Sequence, residues 1–344
     1  MKKIWFTKIA IVLALSVLVF RCGDPGETKH YKFIANAEWS PTISNRLVIS
    51  KEEFDAVVGK KSGCSNDVED TPPPAALFEL FLADTTGNIS KQLTTNLGLA
   101  PPFKMKWSPR GDRFLIWGNP YPALGIIDTS GNITGTDSLG YASDADWSPD
   151  GSHIVCSAIR RSGGGTTNLY TVDATTGRST RLLSDTIRTG AVSWSSQNKI
   201  ACAFAGSTSA ILAIIDTNGS NFLILDSTAY FNTIRWSPDG TKLLFTRNIQ
   251  STYDIYVLTI SSSLKQLLLG FADGTQIPSL RYSPDGAMIS FYTYQSGNFT
   301  LYTMGSDGST PTSVATQSTD GSWSPDSKSL AYVNNNVVYT KRVQ

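Results

Sequence analysis

Seven copies of one short pattern recur along the chain, and no other feature limits its folding as strongly. They read AEWSPTISNRLVIS from Ala37, MKWSPRGDRFLIWG from Met105, ADWSPDGSHIVCSA from Ala145, VSWSSQNKIACAFA from Val192, IRWSPDGTKLLFTR from Ile234, LRYSPDGAMISFYT from Leu280 and GSWSPDSKSLAYVN from Gly321. Their aromatic anchors are Trp39, Trp107, Trp147, Trp194, Trp236, Tyr282 and Trp323, spaced 40 to 47 residues apart after a first interval of 68. A period of roughly 40 to 45 residues is that of a four-stranded propeller blade.

The motif has a local physical reading. Ser-Pro-Asp-Gly suits a type I turn: proline presets φ at the second position, serine precedes it, and glycine takes the fourth. Apolar residues follow two apart, as in Leu243 and Phe245, Ile289 and Phe291, or Leu330 and Tyr332. That is a strand with a buried face. The anchor ring then packs between blades. A second hairpin with an Asp-x-x-Gly-like turn follows, as in LFLADTTGNISKQLT from Leu80 and LYTVDATTGRSTRLL from Leu169, and only IYVLTISSSLKQLL from Ile255 lacks the Asp and Gly. The expected fold is all-β, a seven-bladed propeller of four-stranded antiparallel blades over residues 30–344. The last copy supplies three strands before Gln344, so HYKFIA, residues 30–35, is expected to close the ring as the missing outer strand.

WSPDG followed by LYxxDxxG resembles the WD40-like repeat of the TolB β-propeller family, also found in the propellers of prolyl oligopeptidase-type peptidases. The resemblance covers residues 37–344. It implies a rigid binding scaffold in the bacterial envelope that engages a protein partner. TolB-like proteins carry an α/β domain ahead of the propeller, whereas these repeats start directly after a short tether, so the resemblance is to the repeat and not to the domain layout.

The N-terminus points to export. Lys2, Lys3 and Lys8 precede an apolar run from Ile9 to Phe20, the layout of a signal peptide over residues 1–22. That run is about half the roughly 20 residues of a spanning helix. VFRC before Gly23 resembles a bacterial lipobox, with Arg21 standing where a small residue is usual. This makes Cys22 the expected lipidation site and residues 23–29 a tether, on a periplasmic, outer-membrane or cell-surface lipoprotein. Ordinary signal-peptide cleavage and an uncleaved anchor are the alternatives. Lys+Arg of 29 against Asp+Glu of 28 leaves +1, so no global field draws the chain to nucleic acid, and membrane contact is expected only through the N-terminus. Cys64, Cys156 and Cys202 form no metal-type pair. Cys156 and Cys202 occupy one position of successive repeats, which reads as buried free thiols.

Candidate binding residues fall in two places. One face of the disc carries only compact turns, so recognition is expected on the opposite, long-loop face. That face holds the insertion at about 51–76, the RRSGGGTT loop with Arg160 and Arg161, and Tyr121, Tyr253, Tyr294 and Asn298. The aromatic residues there also admit a carbohydrate or cell-wall ligand. The innermost strands place Glu38, Lys106, Asp146, Ser193, Arg235, Arg281 and Ser322 one residue before each anchor. Lys106, Arg235 and Arg281 can grip a polar ligand, or the set can pair internally, which is the reading adopted. With only His30 and His153 in the chain, and no GxSxG, Walker or dinucleotide fingerprint, neither a Ser-His-Asp set nor a multi-histidine metal site is readily assembled. The chain is therefore read as a monomeric non-enzyme without cofactor, an enzyme with a carboxylate-based site being the third alternative.

Overall fold

The computed structural model describes residues 27–58, 78–86, 88–95, 103–118, 124–136, 139–160, 166–184, 187–205, 210–249, 252–271, 274–318, 320–335 and 337–343. Blade 1 comprises β1 (Glu27–Trp39), β2 (Leu47–Val58), β3 (Glu79–Ala83) and β4 (Ile89–Gln92); blade 2 comprises β5 (Phe103–Trp107), β6 (Arg113–Gly118), β7 (Leu124–Asp128) and β8 (Ile133–Gly135). Blade 3 follows with β9 (Leu139–Trp147), β10 (His153–Arg160), β11 (Asn168–Asp173) and β12 (Ser179–Arg181). Blade 4 has β13 (Thr189–Trp194), β14 (Lys199–Ala205), β15 (Ala210–Asp216) and the first part of β16 (Leu223–Trp236). The second part of β16 opens blade 5, with β17 (Lys242–Ile249), β18 (Thr252–Thr259) and β19 (Leu264–Gly270). Blade 6 has β20 (Gln276–Tyr282), β21 (Met288–Gln295), β22 (Asn298–Gly305) and β23 (Thr312–Thr316), and blade 7 has β24 (Ser322–Trp323), β25 (Ser329–Asn334) and β26 (Val337–Arg342). All pairings are antiparallel, and the described residues contain no helix.

The motif turns form for the reasons the sequence suggests. In blade 3, Ser148 Oγ donates to Asp150 Oδ1 at 2.7 Å, the Ser152 N–H donates to the same oxygen at 3.0 Å, and Gly151 takes φ +66° while its N–H reaches Ser148 O. Blades 5, 6 and 7 repeat the serine-to-aspartate bond at Ser237–Asp239, Ser283–Asp285 and Ser324–Asp326. The irregular hairpin of blade 5 still closes, with Ser263 at φ +54° replacing the missing glycine. In Asp84, hydrogen bonds from Thr86 and Asn88 hold the carboxyl down at about 2; in Asp150, Asp239, Asp285 and Asp326 the motif serine does the most to lower it.

These depressed folded-state values predict the acid response. Stability from such groups is fully present above the unfolded carboxyl value of about 3.9 and is lost as pH falls through the folded values. The thermal midpoint, followed by circular dichroism, is therefore expected to hold between about pH 7 and 5 and to fall below about pH 4. A midpoint unchanged down to about pH 2.5 would contradict this.

Both faces of each middle strand are buried, so the core lies between blades. In β17, Leu243 and Phe245 join blade 4 residues such as Leu212, while the intervening Leu244 joins Leu280 and Phe291 of blade 6. Among the described residues seven such clusters link successive blades, the last joining Ala331, Val333 and Val338 of blade 7 to Trp39, Leu47 and Ile49 of blade 1. This gives seven blades in a closed ring. Cys156 and Cys202 are free and buried in two of these clusters, and burial pushes the Cys156 thiol up to about 12. Cys64 lies outside the described residues.

Closure differs from expectation. Residues 30–35 do not pair with blade 7; they extend β1 along β2, with His30 opposite Asp55 and Ile34 opposite Lys51. A local hairpin that continues an existing ladder closes a far shorter loop than a pairing across the whole chain. The proposed insertion at 51–76 accordingly begins as strand, since residues 51–58 belong to β2, and its remainder lies outside the described residues.

Candidate functional site

Inner-strand residues one and three before each anchor share the channel face, because side chains alternate along a strand. The structure pairs most of their charges with one another. Lys106 Nζ bonds Asp146 Oδ1, and Asp146 Oδ2 accepts Ser193 Oγ at 3.0 Å and the Trp194 N–H at 3.1 Å. Arg235 donates to Asp144 Oδ2 at 3.2 Å and to the carbonyls of Val192 and Ile234. Burial would raise the Asp144 carboxyl, but Arg235 and Lys104 nearby and the Val192 N–H hold it below the ordinary value.

The third cluster sits at the seam between blades 6, 7 and 1. The Arg281 guanidinium donates to both Glu38 oxygens and to Asp320 Oδ2, through Nε at 3.0 Å to the latter. Ser322 Oγ donates to Glu38 Oε2 at 2.9 Å and accepts the Trp39 N–H. Burial works against the charged guanidinium, yet Asp320 and Glu38 more than offset it and raise the Arg281 pKa. The ring is therefore latched by side chains where a shared strand was expected.

Lys106, Arg235 and Arg281 are thus brought to the axis, but engaged inside the protein. Asp144, Asp320 and Lys104 were not singled out from the sequence; each stands three residues before an anchor, and extending the period of two by one step would have found them. The long-loop candidates divide differently. Arg160 ends β10 with its guanidinium 5.8 Å from the Tyr170 ring, Tyr253 is partly buried against the cluster between blades 5 and 6, and Tyr294 lies 4.7 Å from Phe299. Asn298 accepts from Gln317. All four lie at second-to-third strand connections, on one face. Tyr121, Arg161 and Cys22 lie outside the described residues.

That face also carries the end of a long two-stranded ribbon. β1 and β2 run 13 and 12 residues, and their far ends, paired Glu27 to Val58, lie away from the Ser40–Arg46 turn. Among the described residues no three His, Cys, Asp or Glu side chains converge as a metal site, and no helix is long and apolar enough to cross a membrane.

No curated protein matches the chain significantly in sequence. In solved structures, an oligogalacturonate lyase in complex with manganese is similar at 14% identity, covering 93% of this chain and 97% of that one with a TM-score of 0.65. The oligogalacturonate lyase of Vibrio parahaemolyticus gives 13% identity, coverage of 93% and 99%, and a TM-score of 0.63. TolB from Acinetobacter baumannii gives 16%, coverage of 82% and 78%, and 0.53. At these identities the likeness shows the fold alone. A family profile, the TolB beta propeller domain, matches residues 203–340. With the repeat chemistry and the ring geometry, that match makes this chain a bearer of TolB-like β-propeller repeats.

Proposed function

We propose that this protein is a non-catalytic binding scaffold of the bacterial cell envelope that holds a protein partner on its long-loop face. The observation that carries the reading is the contrast between the two faces. One is built of short turns that repeat the same serine-to-aspartate hydrogen bond; the other bears the end of the extended β1–β2 ribbon and Arg160. The axial charges support it, since they latch blades instead of converging on a reacting atom.

The lyase resemblance is one of fold. A manganese lyase needs a convergent donor set, and the described residues assemble none. Export and lipidation at Cys22 complete the proposal and place the propeller at a membrane surface. Fatty-acid labelling that survives Cys22→Ala would reject the anchor.

The test of the binding face is affinity capture of envelope proteins on the exported chain, with and without Arg160→Ala and Arg161→Ala. Retained β-sheet circular dichroism with about tenfold weaker capture is expected. Undiminished capture that is instead lost on changing Arg110 and Asp112 in a motif turn would place recognition on the other face.

A further inference from the structure

We propose that the outer edge of β26 is a second docking site, which takes an extended segment of a partner protein as the fourth strand of blade 7. Six blades cover their third strand with a fourth, whereas among the described residues β26 is paired on its β25 side alone. The segment expected to fill this place is committed to β2.

The other blades show how a fourth strand is seated. The hairpin turn that leads into it presses a glycine against the fourth-strand backbone of the blade before. A Cβ on Gly131 would stand 2.3 Å from Leu93 O, one on Gly219 2.4 Å from Leu182 O, and one on Gly177 2.0 Å from Gly135 O. Val314 of β23 is the next seat in this series. Among the described residues no hairpin turn rests on it; Lys341 Nζ reaches its carbonyl at 2.9 Å. Beside it opens a groove of about 540 Å³ lined by Met288, Met304, Val314, Lys341, Arg342 and Val343. The unfilled seat thus continues an interface repeated elsewhere in the ring.

The edge also states what it would accept. Val337 and Tyr339 are 48% and 44% exposed and share a side of the strand with Lys341, while Val338 faces inward to the blade 1 core. A guest strand running antiparallel to β26 would meet two apolar side chains and, near its own N-terminal end, the Lys341 ammonium. The fitting partner segment is therefore extended, apolar at alternate positions and acidic at its start. Main-chain hydrogen bonds to the edge supply affinity and the alternate side chains supply selectivity.

Hydrogen exchange on the full exported chain tests this, with two synthetic probes: a short peptide with valine at alternate positions and serine at its start, and the same peptide with aspartate at its start. Without peptide, amides of Val337–Arg342 should exchange faster than those of the covered third strand β22. Millimolar peptide should slow them about tenfold, the Asp version more, with no change in the other outer strands. Thr340→Pro, which removes an edge N–H, should abolish the slowing, and Val337→Lys, which keeps the backbone intact, should weaken it if the proline variant does not fold. Exchange at β26 as slow as in β22 without peptide, no slowing by either probe, or equal slowing in a folded Thr340→Pro variant would overturn the proposal. Arg160→Ala should leave the peptide effect unchanged, which keeps this result separate from the fate of the long-loop face.

Discussion

Arg281→Ala is expected to lower unfolding free energy by about 3 kcal/mol, because it leaves the carboxylates of Glu38 and Asp320 facing each other without their shared cation. The Arg281 side chain is 26% exposed, Glu38 9% and Asp320 31%, so solvent softens the loss below that of a fully buried pair. Glu38→Gln placed on Arg281→Ala should recover part of the loss. Denaturant unfolding of the three proteins checks this; no recovery in the double variant would show that the latch does not depend on charge.

Trp107→Ala is expected to cost about 4 kcal/mol, among the largest for a single core truncation. Its ring packs edge-on to Phe114 at 5.5 Å between blades 1 and 2, and its Nε1–H reaches back to the carbonyl of Glu38 at 3.1 Å. Trp147 makes the equivalent bond to Lys106 O. The anchor of blade 4 differs, since Trp194 is only partly buried and its Nε1 has no partner. Trp194→Ala should therefore cost clearly less than Trp107→Ala in the same denaturant titration. Equal losses would mean that neither the extent of ring burial nor the indole bond across blades sets what an anchor contributes.

The repeat was legible because its chemistry is local. Serine, proline, aspartate and glycine set a turn within four residues, and the alternation after it sets which side chains enter the cores between blades. The anchors and the buried thiols at Cys156 and Cys202 follow from the same periodicity. Ring closure was not legible, since whether residues 30–35 join β2 or β26 depends on a comparison between a neighbouring and a distant edge, and neither is marked in HYKFIA itself. The axial residues were half legible. Lys106, Arg235 and Arg281 were read one step before their anchors, but Asp144 and Asp320, which Arg235 and Arg281 engage, lie one alternation further back, and only the folded ring shows that blades one and two steps apart bring these charges together. Tyr253 and Tyr294 read as exposed loop aromatics, yet packing against neighbours partly covers them, which no local pattern announces.

β16 passes from the rim of blade 4 to the axis of blade 5 in a single 14-residue strand, and Lys265 of β19 bonds Asp226 across the same junction. Elsewhere the step from rim to axis is made by a separate connection or by the latch at Arg281. Under a mechanical load these junctions would not yield alike. A force that spreads the ring must tear a continuous strand from two ladders at once to part blades 4 and 5, whereas at the seam it need only separate side chains. The molecule is in effect a broken hoop with a reinforced back and a clasp in front, and thermal opening should begin at the clasp.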